Sequence, residues 1–356
     1  VSVTAWWKII SGENREWYAD LARLGLTLAS FPYGLVSELR NRAYSTGALP
    51  IRGVPVPVIS IGNLTVGGTG KTPTVAWLVR QLQDLGERPA IVSRGYHALD
   101  DAENDEKKLL DHLCPSVPHH QGRDRRSVAQ RLLTAEQVSV ILLDDAFQHR
   151  RLHRDLDLVL VDSLNPWGFD RLLPRGLLRE RLAGLSRADL ILLTRCELVP
   201  PHRIQDILRQ IRRWSGAPVL QTRFLPSGLT DGEGNRFPLD AVAGKPVVAF
   251  CGIGNPEGFQ KTLSPSVALS AENFRTFPDH HHYTPADLLE LRRLADQCGA
   301  EQFLTTRKDL VKLPVDGILG LPCRGLDIEL QVDDDLSPLL DRLRMTLRSP
   351  LRDRTP

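Results

Sequence analysis

The sequence predicts an α/β protein: a parallel sheet with helices on both faces, a second, smaller α/β lobe after it and an amphipathic helix before it. Three observations carry that prediction. Short apolar runs bounded by turn residues, at 56–61, 89–93, 138–143, 158–161, 190–193 and 247–251, alternate with helical stretches, the rhythm of successive strand–helix–strand units. A glycine-rich turn follows the first run and opens a helix, and an apolar stripe recurs every three or four residues over 17–39.

The leader, 1–45, comes first. Trp17, Leu21, Leu24, Leu28, Phe31, Leu35 and Leu39 fall on one face of a helix. Its charge-free stretch, 24–37, is shorter than the ~20 residues that cross a bilayer. Trp6, Trp7, Trp17 and Tyr18 stand where interfacial aromatics anchor, and Arg15, Arg23, Arg40 and Arg42 give cationic flanks. A helix lying in a membrane surface and a helix docked by its stripe on the protein's own core both satisfy this pattern. The succession of a cleavable signal peptide is missing.

The main lobe is expected over 46–225, and the 356 residues leave room for a second. At 226–240 the alternation around Asp231-Gly232 predicts a hairpin-like linker, with the smaller lobe at 241–356. The run GIGNPEGF after 247–251 does not fit G-x-G-x-x-G and reads as a strand-to-helix turn. Net charge is only +2, which gives no field for nucleic acid. Five cysteines without C-x-x-C spacing point to reduced thiols, hence a cytoplasmic body, rather than a disulfide framework or zinc knuckle.

Chemistry concentrates in two motifs. Thr65, Val66, Gly67, Gly68, Thr69, Gly70, Lys71 and Thr72 form a phosphate-binding loop between strand and helix, a P-loop with threonine at its first position. The glycines let N–H groups turn onto phosphate oxygens, Lys71 reaches the β and γ phosphates, and Thr72 ligates Mg²⁺. The apolar strand VSVILL then delivers Asp144 and Asp145 to its carboxyl end, facing that loop as Mg²⁺ ligands or as holders of its waters. An ATP·Mg²⁺ site in a P-loop NTPase-like sheet is the expectation.

Five stretches in order, SIGNLTVGGTGKTP (60–73), SRGY (93–96), LDDAFQHRRL (143–152), LLPRGLLRE (172–180) and FPDHH (277–281), closely resemble the tetraacyldisaccharide 4′-kinase (lipid A 4′-kinase) family. The resemblance spans most of the chain. It implies transfer of the γ-phosphate of ATP to the 4′-hydroxyl of a tetraacylated glucosamine disaccharide 1-phosphate, giving lipid IVA at the cytoplasmic face of the inner membrane, with no nucleic acid and no obligate protein partner. By the same resemblance Gln148 and His149 line the site with Asp144 and Asp145, and Glu180 is a carboxylate near the metal. Asp105 receives or orients the hydroxyl proton and pairs with His280, although His281 and His282 remain alternatives, and a zinc-binding histidine cluster competes with that reading. Arg94, Arg123, Arg125 and Arg179 are candidate phosphate contacts. Thr306, Lys308 and Asp309 are candidates for a base edge. The chain departs from the family pattern at Ala146 and Asn104, where glycine is usual, and at Arg307, where glutamate is usual. A peripheral-membrane P-loop NTPase switch acting on a protein partner is the rival reading.

Overall fold

The computed structural model describes residues 3–95, 105–264, 266–279 and 281–348. The chain opens with α1 (Val3–Ser11) and α2 (Trp17–Ser45), then runs β1 (Val58–Asn63), α3 (Lys71–Asp84), β2 (Pro89–Ser93), α4 (Asp105–Leu113), β3 (His119–Gln121), α5 (Arg125–Ala135) and β4 (Val140–Asp144). After β5 (Leu156–Asp162) and β6 (Leu190–Thr194) come α6 (Pro201–Arg212), β7 (Val219–Thr230), β8 (Arg236–Phe237), β9 (Val247–Cys251), α7 (Pro256–Leu263) and β10 (Phe274–Thr276). The chain then continues through α8 (Pro285–Cys298), β11 (Gln302–Thr306), α9 (Arg307–Leu310), β12 (Cys323–Val332) and α10 (Ser337–Arg348).

Two compact units divide these elements, with the boundary inside β7 between Arg223 and Phe224. In the first unit the sheet order is β7-β6-β5-β1-β4-β2-β3, and the pairings are parallel. Every residue of β1, β2, β4, β5 and β6 is buried, as strands covered on both faces require. Val128, Ala129 and Leu132 of α5 pack with Ile141 and Leu143, while Ile207 and Ile211 of α6 pack with Val159, Val161 and Ile191. The carboxyl edge of this sheet gathers the turns after β1, β4, β5 and β6, where ligand sites form in such folds.

The second unit pairs β10-β9-β11-β12 in parallel around Phe250 and Phe303, and β7 with β8 as an antiparallel hairpin. The hairpin turn is closed by the Asp231 N–H to Asn235 O bond of 3.1 Å. GIGNPEGF is a strand-to-helix turn, with the Asn255 side chain capping α7 through the Gly258 N–H.

The unit boundaries differ from the sequence boundaries in two places. Helix α4, expected in the main lobe, clusters with the second unit and packs on α9, and from Val332 onward the chain returns to the first unit, so α10 is not part of the smaller lobe. Neither excursion leaves a composition signal.

The leader resolves a choice that periodicity left open. The stripe faces outward: Trp17, Leu21, Leu24, Leu28, Phe31, Leu35 and Leu39 are all more than half exposed. The opposite face docks, with Ala19 and Gly34 buried; a Cβ on Gly34 would stand 2.8 Å from Leu172 Cδ1. Docking of the stripe on the core is therefore corrected. So are Trp6 and Trp7 as surface anchors, because Trp6 donates to the Pro174 carbonyl at 3.2 Å and Trp7 stacks edge-on against Phe169. Arg23 turns inward to the carbonyls of Ile9 and Asn14. Among the described residues no helix is long and apolar enough to cross a membrane.

Candidate active site

The loop between β1 and α3 takes the shape its glycines permit. Gly67 and Gly70 have φ of +114° and +90°, which a side chain would strain. Val66 N–H bonds Leu177 O at 2.8 Å and Arg179 N–H bonds Leu64 O at 2.8 Å, so segment 172–180 forms one wall of the loop. Lys71, at the start of α3, holds its ammonium 3.3 Å from Asn63 Oδ1 and 3.5 Å from Asp145.

Asp144 ends β4 and is buried; Asp145 follows in the left-handed region, at φ +48°. That conformation is uncommon outside glycine and aims the Asp145 carboxylate at Lys71 and Arg179. One Arg179 nitrogen lies 2.8 and 2.9 Å from the two Asp145 oxygens. Burial raises the pKa of Asp145, but the Lys71 and Arg179 cations outweigh it and hold the carboxyl well below its ordinary range. Ala146 is buried outside the positive-φ region and donates its N–H to Ile61 O, so alanine fits where glycine is usual.

Gln148 crosses the same ground, donating to Asn63 O at 3.0 Å and to Glu180 Oε1 at 2.9 Å. Glu180 accepts four hydrogen bonds from three nitrogens: two from Arg187 Nη2, at 2.9 and 2.8 Å, one from Gln148, and one from Asn41 of α2 at 2.8 Å. A buried carboxylate so saturated positions its neighbours instead of offering oxygens to a metal. Helix α2 adds Tyr33 Oη to Arg179 O at 2.9 Å and Arg40 to Gln148 O at 2.6 Å. Asn41 and Arg187 belong to this network without standing in any motif, and Asn63 lies within the stretch 60–73 without having been singled out.

Arg125 is buried and spends its guanidinium on the carbonyls of Asp144 and Asp145, at 3.2 and 3.1 Å, which removes it from the candidate phosphate contacts. Arg94, after β2, and Arg123, before α5, are exposed. His149 is half-buried, and burial together with the cations of Arg125, Arg154 and Arg40 pushes its pKa down to about 4. Its folded pKa lies below the ordinary histidine value of 6.5, so the unfolded chain binds more protons between these values, and His149 contributes stability above about 6.5 that is lost as pH falls toward about 4. His149→Gln is expected to soften the drop in melting temperature between pH 6.5 and 4.5 relative to the unsubstituted protein; equal drops by calorimetry contradict a neutral His149.

In the second unit, Asp105 opens α4, and its side chain lies outside what is described, as does His280. His281 is committed elsewhere: it sits 3.0 Å from Asp287 and stacks on Phe277 with centroids 4.8 Å apart. Lys308 binds Asp279 at 2.9 Å, and Lys312 donates to His281 O at 3.3 Å, fixing both neighbours of His280. Asp309 is fully buried, accepting from Gly252 N–H at 2.9 Å and Thr306 Oγ1 at 2.7 Å, so neither it nor Thr306 offers a base edge. Arg307 pairs with Asp327 at 3.2 Å, a role that a glutamate there would not fill.

The model of the Tetraacyldisaccharide-1-P 4′-kinase family, LpxK, matches residues 22–344. The chain belongs to that family. Among tetraacyldisaccharide 4′-kinases, those of Anaeromyxobacter sp. (strain K) and Geobacter sulfurreducens are each 38% identical to it; the alignments cover 97% and 96% of this chain and 94% and 100% of theirs. The crystal structure of an "apo" form of LpxK from Aquifex aeolicus in complex with ATP superposes with a TM-score of 0.73 at 30% identity, covering 92% of this chain and 99% of that one. Membership in the tetraacyldisaccharide-1-phosphate 4′-kinase family makes the chain a phosphotransferase of lipid A biosynthesis, and the switch reading is not favoured.

Proposed function

We propose that the chain transfers the γ-phosphate of ATP to the 4′-hydroxyl of a tetraacylated glucosamine disaccharide 1-phosphate at the cytoplasmic face of the inner membrane, forming lipid IVA. The observation that carries this reading is the convergence of Lys71, Asp145, Arg179 and Gln148 beside a glycine-shaped loop at the carboxyl edge of a parallel sheet. Phosphoryl transfer is mainly positioning and charge stabilisation, and these residues supply both.

Mg²⁺ takes oxygen ligands, using one or two carboxylates with substrate phosphates and waters. Thr72, in the first turn of α3, with Asp144 and Asp145 at the end of β4, fits that demand, and bound Mg²⁺ supplies charge neutralisation between the phosphates. Residues 65–72 cradle the phosphates, and Lys71 places a cation against the γ-phosphate. Arg179 holds Asp145 in place, Gln148 and His149 line the acceptor side, and Arg94 and Arg123 are cationic partners for the anionic lipid. Asp105 with His280 takes the hydroxyl proton. Incubating pure protein with γ-labelled ATP and separate acceptors tests this: label should enter the acylated disaccharide and neither nucleosides nor protein, and label in another acceptor overturns it.

The exposed stripe of α2 supports a peripheral or monotopic seat on the membrane. Acyl chains leave the bilayer at a cost of ~0.8 kcal/mol per methylene, so the enzyme must come to the surface. Leu24, Leu28 and Phe31 are 57%, 61% and 68% exposed, so replacing all three with serine should leave the fold intact while releasing the protein from anionic liposomes. Transfer to bilayer-embedded lipid should fall, and transfer to a short-chain acceptor should persist. Undiminished liposome binding by the folded triple variant contradicts the membrane seat.

A further inference from the structure

Arg195 lies just past β6, outside every motif the chemistry draws on, in the left-handed region at φ 60° and ψ 38°. Non-glycine residues seldom adopt that conformation, and here it turns a long side chain back along the sheet edge. One guanidinium nitrogen meets Asp162, the last residue of β5, at 2.5 Å; the other donates to Gly68 O of the phosphate loop at 2.7 Å. Ser163 Oγ donates to the Arg195 carbonyl at 2.6 Å and so secures the turn itself. Next door, Thr194 Oγ1 donates to Thr69 O at 3.2 Å. Two consecutive loop carbonyls are therefore tied to the end of β6.

A trans peptide points its carbonyl and its N–H to opposite sides. Fixing Thr69 O on Thr194 aims the Gly70 N–H the other way, while fixing Gly68 O on Arg195 turns the Thr69 N–H onto Gly67 O at 3.0 Å and so closes the turn that shapes the loop. A loop that binds phosphate through its N–H groups needs its carbonyls held on the far side, and glycine-rich backbone does not hold them unaided. We propose that Arg195, oriented by Asp162, is a positioning residue that sets the phosphate loop for transfer. The proposal rests on reading 65–72 as that loop.

Losing the tie should shift phosphate-facing groups by a fraction of an ångström to an ångström, and a displacement near 1 Å costs ~10²-fold in rate. Arg195→Ala is therefore expected to lower kcat by ~10²-fold with the KM for the lipid acceptor within about a factor of two. Arg195→Lys should recover only part, since one ammonium is a point donor where two acceptors are spaced for a fork. Asp162→Asn should lower kcat in the same direction, and combined with Arg195→Ala should add little, as residues acting through one contact do. A folded Arg195→Ala protein with kcat within a factor of three of the unsubstituted enzyme overturns the proposal. Should Arg195→Ala fail to fold, the isosteric Asp162→Asn decides: an unchanged kcat overturns the proposal, and a tenfold or greater fall at unchanged lipid KM supports it. Lys71→Ala, measured in parallel, separates the two levels. If it too transfers phosphate normally, the loop assignment itself has failed; if it is dead while Arg195→Ala is active, only the positioning role has.

Discussion

Lys71→Ala is expected to abolish transfer, the largest effect foreseen for any single substitution. The Lys71 ammonium lies 3.3 Å from Asn63 and 3.5 Å from Asp145, already aimed along the loop, and no other described cation is seated at the start of α3. Charge redistributes over the γ-phosphate oxygens as the bond to the leaving group lengthens, and a fixed cation stabilises that state more than the ground state. Removing it also deprives Asp145 of one of the three cations, Lys71, Arg179 and Arg125, that keep it ionised, so the variant should disturb the carboxylate that Arg179 grips. Single-turnover transfer measured with γ-labelled ATP checks the result, and activity within a factor of a few of the unsubstituted enzyme contradicts the assignment.

Asp105→Ala is expected to lower kcat by ~10²–10⁴-fold, the range for a positioned acid–base group, with a much smaller change in the KM for ATP. An equal loss in ATP binding would mean that Asp105 serves the metal. His280→Ala should be less than additive with it, because paired residues acting on one proton fail together. Fully additive losses would separate them. The pairing itself is what the family resemblance implies, since the Asp105 side chain and His280 lie outside the described residues.

Much of the fold was legible because its signals are local. Runs 89–93 and 247–251 coincide with β2 and β9, and two of the three glycines of the phosphate loop, Gly67 and Gly70, stand where the backbone needs positive φ. β3 and β10 were missed because three-residue edge strands carry too little apolar pattern to register. The direction of the α2 stripe was illegible for a different reason. Periodicity fixes which residues share a face and says nothing of what that face meets; Gly34 against Leu172 settles it, and that contact joins residues far apart in the chain.

The site divides along the same line. Lys71, Asp144 and Asp145 follow from spacing and strand context. Glu180 was placed near a metal, but the contacts that saturate it come from Asn41, Gln148 and Arg187, on three separate segments, and no motif announces such a convergence. Arg125 and Arg195 show the reverse case. Arg125 reads as a candidate phosphate contact and Arg195 stands in no motif until the carbonyls that each holds are known.

The central claim is that phosphate moves from ATP to one hydroxyl of an acylated disaccharide. Its most direct test is phosphorus–proton correlation spectroscopy on the product made by the pure protein from ATP, Mg²⁺ and tetraacyldisaccharide 1-phosphate. The expected spectrum retains the 1-phosphate signal and gains one phosphomonoester coupled to the proton at the 4′ position. A product with no new phosphorus signal, while ATP is consumed to ADP and inorganic phosphate, or with the new phosphate on any other position, contradicts it.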